Sequence, residues 1–211
     1  MIDGRSAKKL SARTLSRLPE YLRHLDAVHS AGIAYVTSAQ LAAALGCSDA
    51  LTRKDVAALG HAGRAGRGYS VEALRHTIAH ILGVTSGRRV LLVGAGNLGT
   101  ALLSYEGFAD RGMQITAVAD SDPAKIGQTL GGATILDIHD IGTDHDMELA
   151  IMAVPGDVAQ KVADQLVDAG ITGILNFAPR RLNVPAHVTV RTVDLSAELQ
   201  ILAFHRGDMS G

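Results

Sequence analysis

Gly94-Ala95-Gly96-Asn97-Leu98-Gly99 narrows the folds open to this 211-residue chain more than any other segment. Before it, Arg88-Arg89 leads into Val90-Leu91-Leu92-Val93, a short apolar run of the kind that forms a strand buried on both faces. After it, Asn97 to Tyr105 reads as a helix with Leu98, Ala101, Leu102 and Tyr105 on one face. Ile115 to Ala119 is a second strand, ending on Asp120. In this strand–turn–helix setting Gly94 allows the tight turn and Gly96 lets the backbone approach a pyrophosphate. Gly99 lets helix and strand pack closely. The unpaired N–H groups and positive end of the helix face the phosphates. Asp120 follows Gly99 by 21 residues, where an acid hydrogen-bonds the adenosine ribose and repels a 2′-phosphate. Residues 88–120 therefore read as the start of a nicotinamide-dinucleotide fold, suited to NAD(H) over NADP(H). Asp122 is a rival for the ribose, although Asp122-Pro123 also suits a turn.

The pattern continues as a doubly wound α/β domain of Rossmann type with a parallel sheet. Glu148 to Val154 reads as a strand and Gly156 to Ala169 as a helix carrying Val158, Val162 and Leu166 inward. Gly173 to Phe177 is another strand, and His187 to Val193 a further one. Ligand sites in such sheets lie at the carboxyl ends of strands. Val154-Pro155 and Asn176-Phe177-Ala178 stand at two of those ends, either as lining for the nicotinamide or as ordinary strand-ending loops.

The net charge of −1 conceals an asymmetry. Residues 1–85 hold eleven Lys/Arg against six Asp/Glu, and residues 86–211 hold nine against fifteen. Only the first part is suited to a polyanion. There Leu15, Leu18, Leu22, Leu25 and Val28 predict an amphipathic helix over 12–29, with Pro19 near its first turn or at a kink. Ser38 caps a short helix, Ala39 to Leu45, and Ser48 or Asp49 caps a third that runs to about Leu59. This spacing is that of a helix-turn-helix, with Ser48, Thr52, Arg53 and Lys54 near the start of the reading helix. Gly60 to Tyr69 then offers a basic wing bearing Arg64 and Arg67. The other reading is a three-helix bundle with a loop that touches nothing. An aromatic content of 3% argues against a module that stacks single-stranded bases or RNA.

Six segments together carry a resemblance to the Rex family of redox-sensing bacterial transcriptional repressors. They are Arg17 to Arg23, Thr52 to Asp55, Gly94 to Leu102, Asp120 to Pro123, Gly173 to Pro179, and Val193 to Gln200. The resemblance implies a winged helix at 1–84, a Rossmann domain at 85–193, and a helix and tail at 194–211 exchanged between the subunits of a homodimer. It implies that NADH and NAD+ compete for one site. NADH releases the protein from a palindromic DNA operator, whereas the NAD+-bound or empty protein holds it. It further implies a switch in which Asp194 pairs with Arg23 in one state and with Tyr105 in the other.

The chain departs from the family pattern in the DNA-facing half. Val56-Ala57-Ala58 replaces an aromatic stretch late in the reading helix, and Ala65-Gly66-Arg67-Gly68-Tyr69 shifts a wing arginine by two positions. A small NAD-dependent oxidoreductase is the alternative function. It needs a positioned acid or base and a substrate domain, and neither is found. His139, His145 and His187 lie in loop-like stretches without partner motifs. A third reading is a nucleotide-binding protein that has lost its DNA partner. No metal site is expected, since the single cysteine, Cys47, has no zinc-ligand spacing around it. With no signal-peptide pattern and no apolar run of about 18 residues, a cytoplasmic location is expected.

Overall fold

A computed structural model of the chain describes residues 10–64, 66–142 and 146–207; Ala65 and His145 lie outside them. It divides into two compact units, Met1–Ser86 and Gly87–Gly211.

In the first unit α1 (Ala12–Ser30) is capped by Ser11 and continues through Pro19. Pro19 is past the first turn, where it removes one intrahelical hydrogen bond and crowds the Leu15 carbonyl, and the helix nonetheless runs on to Ser30. A two-stranded antiparallel ribbon, β1 (Tyr35–Val36) and β2 (Tyr69–Ser70), flanks α2 (Ser38–Ala44) and α3 (Asp49–Ala58). Thr37, not Ser38, caps α2, because Thr37 and Gln40 form a reciprocal capping box. Ser48 caps α3. A fourth helix that the periodicity reading passed over, α4 (Val71–Ile81), is capped by Ser70 and buries Val71, Leu74 and Ile78. Those residues close a core with Leu18, Tyr21 and Leu25 of α1, Leu41 of α2 and Val56 of α3. The loop after α3 narrows at an antiparallel bridge between Arg64 and Gly68, so the wing is real.

The second unit is built on β3 (Arg88–Val93), β4 (Met113–Asp120), β5 (Thr129–Leu130), β6 (Ala133–Asp137), β7 (Leu149–Met152), β8 (Gly173–Asn176) and β9 (Thr189–Thr192). The sheet order is β5-β6-β4-β3-β7-β8-β9, parallel except for the β5–β6 hairpin. Without β5 this is the doubly wound order 3-2-1-4-5-6, whose switch point lies between β3 and β7. Both faces of β3 are buried: Val90 and Leu92 join one core, Leu91 and Val93 the other. The helix α6 (Ala159–Asp168) covers the second face with Ala159, Val162, Ala163 and Leu166. Val158, expected to point inward, is the N-cap residue and is exposed. On the first face lies α5 (Asn97–Leu103), two residues shorter than expected. Its inward side is Gly99, Leu102 and Leu103, while Leu98, Ala101 and Tyr105 are exposed. Finally α7 (Leu195–Gly207) exposes Leu195, Leu199, Ile201, Leu202 and Phe204. No helix among the described residues is long and apolar enough to cross a membrane.

Candidate functional site

The three glycines after β3 are required for three separable reasons. Gly94 has φ +101, and a Cβ on it would lie 2.4 Å from the carbonyl oxygen of Ala153, beyond the end of β7. It is thus needed both for its backbone conformation and for the close approach of two diverging strands. A Cβ on Gly99 would come within 1.8 Å of the Gly94 carbonyl oxygen, so α5 sits directly on the turn that starts it. Gly96 differs. Its φ of −87 and ψ of −169 suit any residue, and a Cβ there would meet nothing within 4 Å. Neither strain nor packing inside the protein explains this glycine, whereas close approach of a phosphate does. The amides of Gly96, Asn97 and Leu98 have no acceptor among the described residues.

Asp120 ties this loop to the second strand. It is 8% exposed, and its Oδ2 accepts from the Ala95 amide at 2.8 Å. The Asp122 amide donates to Oδ1 at 2.9 Å, and Lys125 Nζ donates to Oδ2 at 3.0 Å. Burial pushes the carboxyl up, but the Asp122 and Ala95 amides and the Lys125 ammonium outweigh it and hold it below the usual carboxylate range. Asp120 is therefore a carboxylate that shapes the loop and still has an acceptor position to offer. The rival Asp122 accepts from the Ala124 amide at 2.9 Å, which is turn chemistry.

At the other strand ends the expected residues divide. Val154 and Phe177 are half-buried and Pro155 is exposed. Asn176 is fully buried, and its side chain is engaged within the chain. Its Oδ1 accepts from the Ala178 amide at 2.9 Å, and its Nδ2 donates to the Arg180 carbonyl at 2.9 Å. Asn176 and the buried Ala178 thus brace the loop behind Phe177. His139 bonds Gln165 at 2.8 Å through Nδ1, and His187 is exposed.

In the first unit, the exposed side of α3 presents Ala50, Arg53, Lys54 and Ala57, spaced as one helical face. Arg53 meets Asp49 at 3.0 Å, both side chains well exposed, a pairing that is cheap to break. Ser48 is exposed while capping the helix through the Leu51 amide. Thr52 differs from expectation: it is 0% exposed, with its hydroxyl beside Tyr21 and Cys47. An inward Thr52 cannot meet DNA; it belongs to the support beneath the helix. That support centres on Asp55, 1% exposed, which Arg17 grips with Nε and Nη2 at 2.7 Å each. Tyr21 adds its hydroxyl at 3.3 Å, and burial pushes the Tyr21 phenol up to about 12. No motif announces this grip, because its partners lie 38 residues apart. In the wing, Arg64 and Arg67 are exposed, and Arg67 stacks over Tyr35 at 4.0 Å.

The residues matched to the switch are each accounted for separately. Arg23 pairs with Glu20 at 3.3 Å on the exposed side of α1. Tyr105 is 58% exposed, its ring edge-on to Phe108. Asp194 caps α7, accepting from the Ser196 and Ala197 amides at 3.0 Å.

A winged helix with a basic reading face and a doubly wound sheet with open space beside Gly96 define a DNA-binding protein that also carries a nucleotide-type fold. Residues 9–56 match the family described as "Putative DNA-binding protein N-terminus", and residues 85–180 match the CoA binding domain family. The redox-sensing transcriptional repressor Rex of Streptomyces coelicolor is 46% identical over 201 residues, covering 94% of this chain and 78% of that protein. Rex of Desulfitobacterium hafniense is 43% identical, covering 94% of this chain and 96% of that one. Among solved structures, the repressor RSP in complex with β-NAD+ and operator DNA has a TM-score of 0.89 at 30% identity. It covers 95% of this chain and 94% of its own. RSP in complex with β-NADH has a TM-score of 0.82 at 29% identity, covering 95% and 96%. The chain belongs to the Rex family of redox-sensing transcriptional repressors.

Proposed function

We propose that this chain represses transcription by binding palindromic operator DNA when empty or NAD+-bound, and leaves the operator when NADH binds. The observation that carries the ligand half of this reading is Gly96, a glycine that nothing in the protein requires and a pyrophosphate does. Gly94 to Gly99 would hold the pyrophosphate and Asp120 the adenosine ribose. Val154, Pro155 and Phe177 would border the nicotinamide, with Asn176 and Ala178 fixing the loop behind them. The DNA half rests on Arg53 and Lys54 of α3, with Ser48 beside them and Arg64 and Arg67 in the wing. Ala50, and Ala57 within the stretch where the family carries aromatics, offer methyl groups to base edges.

NAD+ and NADH differ by a hydride and a positive charge at the nicotinamide, so the glycine loop grips both alike. Discrimination belongs to Phe177 and to the switch residues Arg23, Tyr105 and Asp194. Turning a 1:99 equilibrium to 99:1 takes a differential affinity of about 5.5 kcal/mol. A mobility-shift titration on a palindromic operator tests the reading. Micromolar NADH should dissociate the complex and NAD+ should not; DNA retained at millimolar NADH would refute it. Steady NADH oxidation with a small carbonyl compound would instead favour the oxidoreductase.

The homodimer would form through α7. Its Leu195, Leu199 and Leu202 form an apolar stripe that is more than half exposed, and such a stripe calls for a partner surface. Beside the sheet lies an open, apolar cavity of about 280 Å³ lined by Val90, Phe108, Ile115, Leu149, Leu175 and Thr189. Leu199→Asp with Leu202→Asp should give monomers in sedimentation equilibrium and lose operator affinity. Unchanged dimers would move the interface elsewhere.

A further inference from the structure

We propose that Lys125 is a second determinant at the adenosine ribose, and that the Asp120–Lys125 pair sets the choice between unphosphorylated and 2′-phosphorylated dinucleotides. This rests on the dinucleotide reading of the site. Beyond β4 the chain turns tightly: the amides of Lys125 and Ile126 donate to the Asp122 carbonyl at 2.9 and 3.2 Å. That turn brings Lys125 back over the strand end. Its ammonium lies 3.0 Å from Asp120 Oδ2 and 3.9 Å from Asp122 Oδ2, with the side chain 36% exposed.

A lone carboxylate can only accept from the two ribose hydroxyls. With Lys125 beside it, the same corner both accepts and donates, which matches a diol whose oxygens are also acceptors. The charge count sets the selectivity. Two carboxylates and one ammonium leave the corner at −1, so a 2′-phosphate is repelled although a cation stands within reach. Neutralising one carboxylate brings the count to zero and frees the ammonium for the phosphate. Lys125 thus supports NAD(H) only while Asp120 and Asp122 hold it, and becomes a 2′-phosphate anchor when they do not.

Calorimetric titration of the full-length protein with NADH and with NADPH tests this through the ratio of the two dissociation constants. Asp120→Asn should narrow the wild-type preference for NADH by about 100-fold, from one charge removed at contact distance. Asn in place of Asp120 can satisfy only one of the two backbone amides, so Asp122→Asn serves as the second variant. Its side chain is more exposed, and Asn keeps the bond from the Ala124 amide. Asp122→Asn should narrow the preference by about fivefold, given the longer, screened separation. Adding Lys125→Met to either variant should restore the wild-type preference. A ratio that stays fixed in Asp122→Asn, or that narrows equally with Lys125 removed, overturns the inference. If wild type binds NADH at no measurable level, the dinucleotide reading itself falls and takes this inference with it.

Discussion

Gly96→Asp is expected to leave the free protein at least as stable as wild type while weakening NADH binding by about 100-fold or more. The two effects separate because Gly96 is the N-cap of α5 and has no side chain to fill that role. Aspartate is among the best N-cap residues, and its charge suits the helix start. Its Cβ would meet nothing within 4 Å, and the backbone at φ −87 accepts it. The same carboxylate would stand where a diphosphate must approach, adding bulk and like-charge repulsion. Gly99 could not isolate the site in this way. A Cβ there would press on the Gly94 carbonyl oxygen at 1.8 Å, and fold and binding would suffer together. Thermal unfolding gives the first quantity and calorimetry the second. On an operator, the variant should stay bound at NADH concentrations that release wild type. Wild-type NADH affinity in Gly96→Asp would show that the pyrophosphate does not pass this residue.

The dinucleotide fold is legible in the sequence because its signals are local. A strand, three glycines at fixed spacing and an acid fall within 33 residues, and the geometry requires a glycine at Gly94 and Gly99 while leaving open space beside Gly96. Faces set by distant partners are harder to read. The α5 face was assigned from Leu98, Ala101, Leu102 and Tyr105, yet Gly99 presses inward and turns all of them but Leu102 to solvent. A glycine that packs by having no side chain leaves no hydrophobic mark. Thr52 fails for the complementary reason: a polar residue on a basic helix suggests an outward face, until Tyr21 arrives from α1. The β5–β6 hairpin did have a local signal. Gly131 and Gly132 both take positive φ, the two-residue turn that a Gly-Gly pair between short strands favours. Lys125 had none, since its meaning depends on a turn that folds it back onto Asp120.

Asp55→Ala is expected to destabilise the winged-helix unit by about 3–5 kcal/mol, the loss seen when one partner of a buried ion pair is removed. Arg17 would keep its charge at 23% exposure with no carboxylate to receive it. The Tyr21 hydroxyl would lose one of its two acceptors and keep only Thr52 Oγ1. A domain of this size has about 5–15 kcal/mol to lose in total. The unfolding midpoint of this unit should therefore fall by roughly 12 °C or more, at about 4–8 °C per kcal/mol. Operator affinity should fall with it, because Arg53 and Lys54 sit on the same helix as Asp55. NADH titrations should change little, since Asp120 and the glycine loop lie in the other unit. Arg53→Ala is the matching control. Its exposed pair with Asp49 contributes less than about 1 kcal/mol to stability, so it should lose DNA and keep the fold. A midpoint for Asp55→Ala within about 2 °C of wild type would mean that α3 is held by its apolar contacts alone. The grip of Arg17 would then have no part in presenting the reading face.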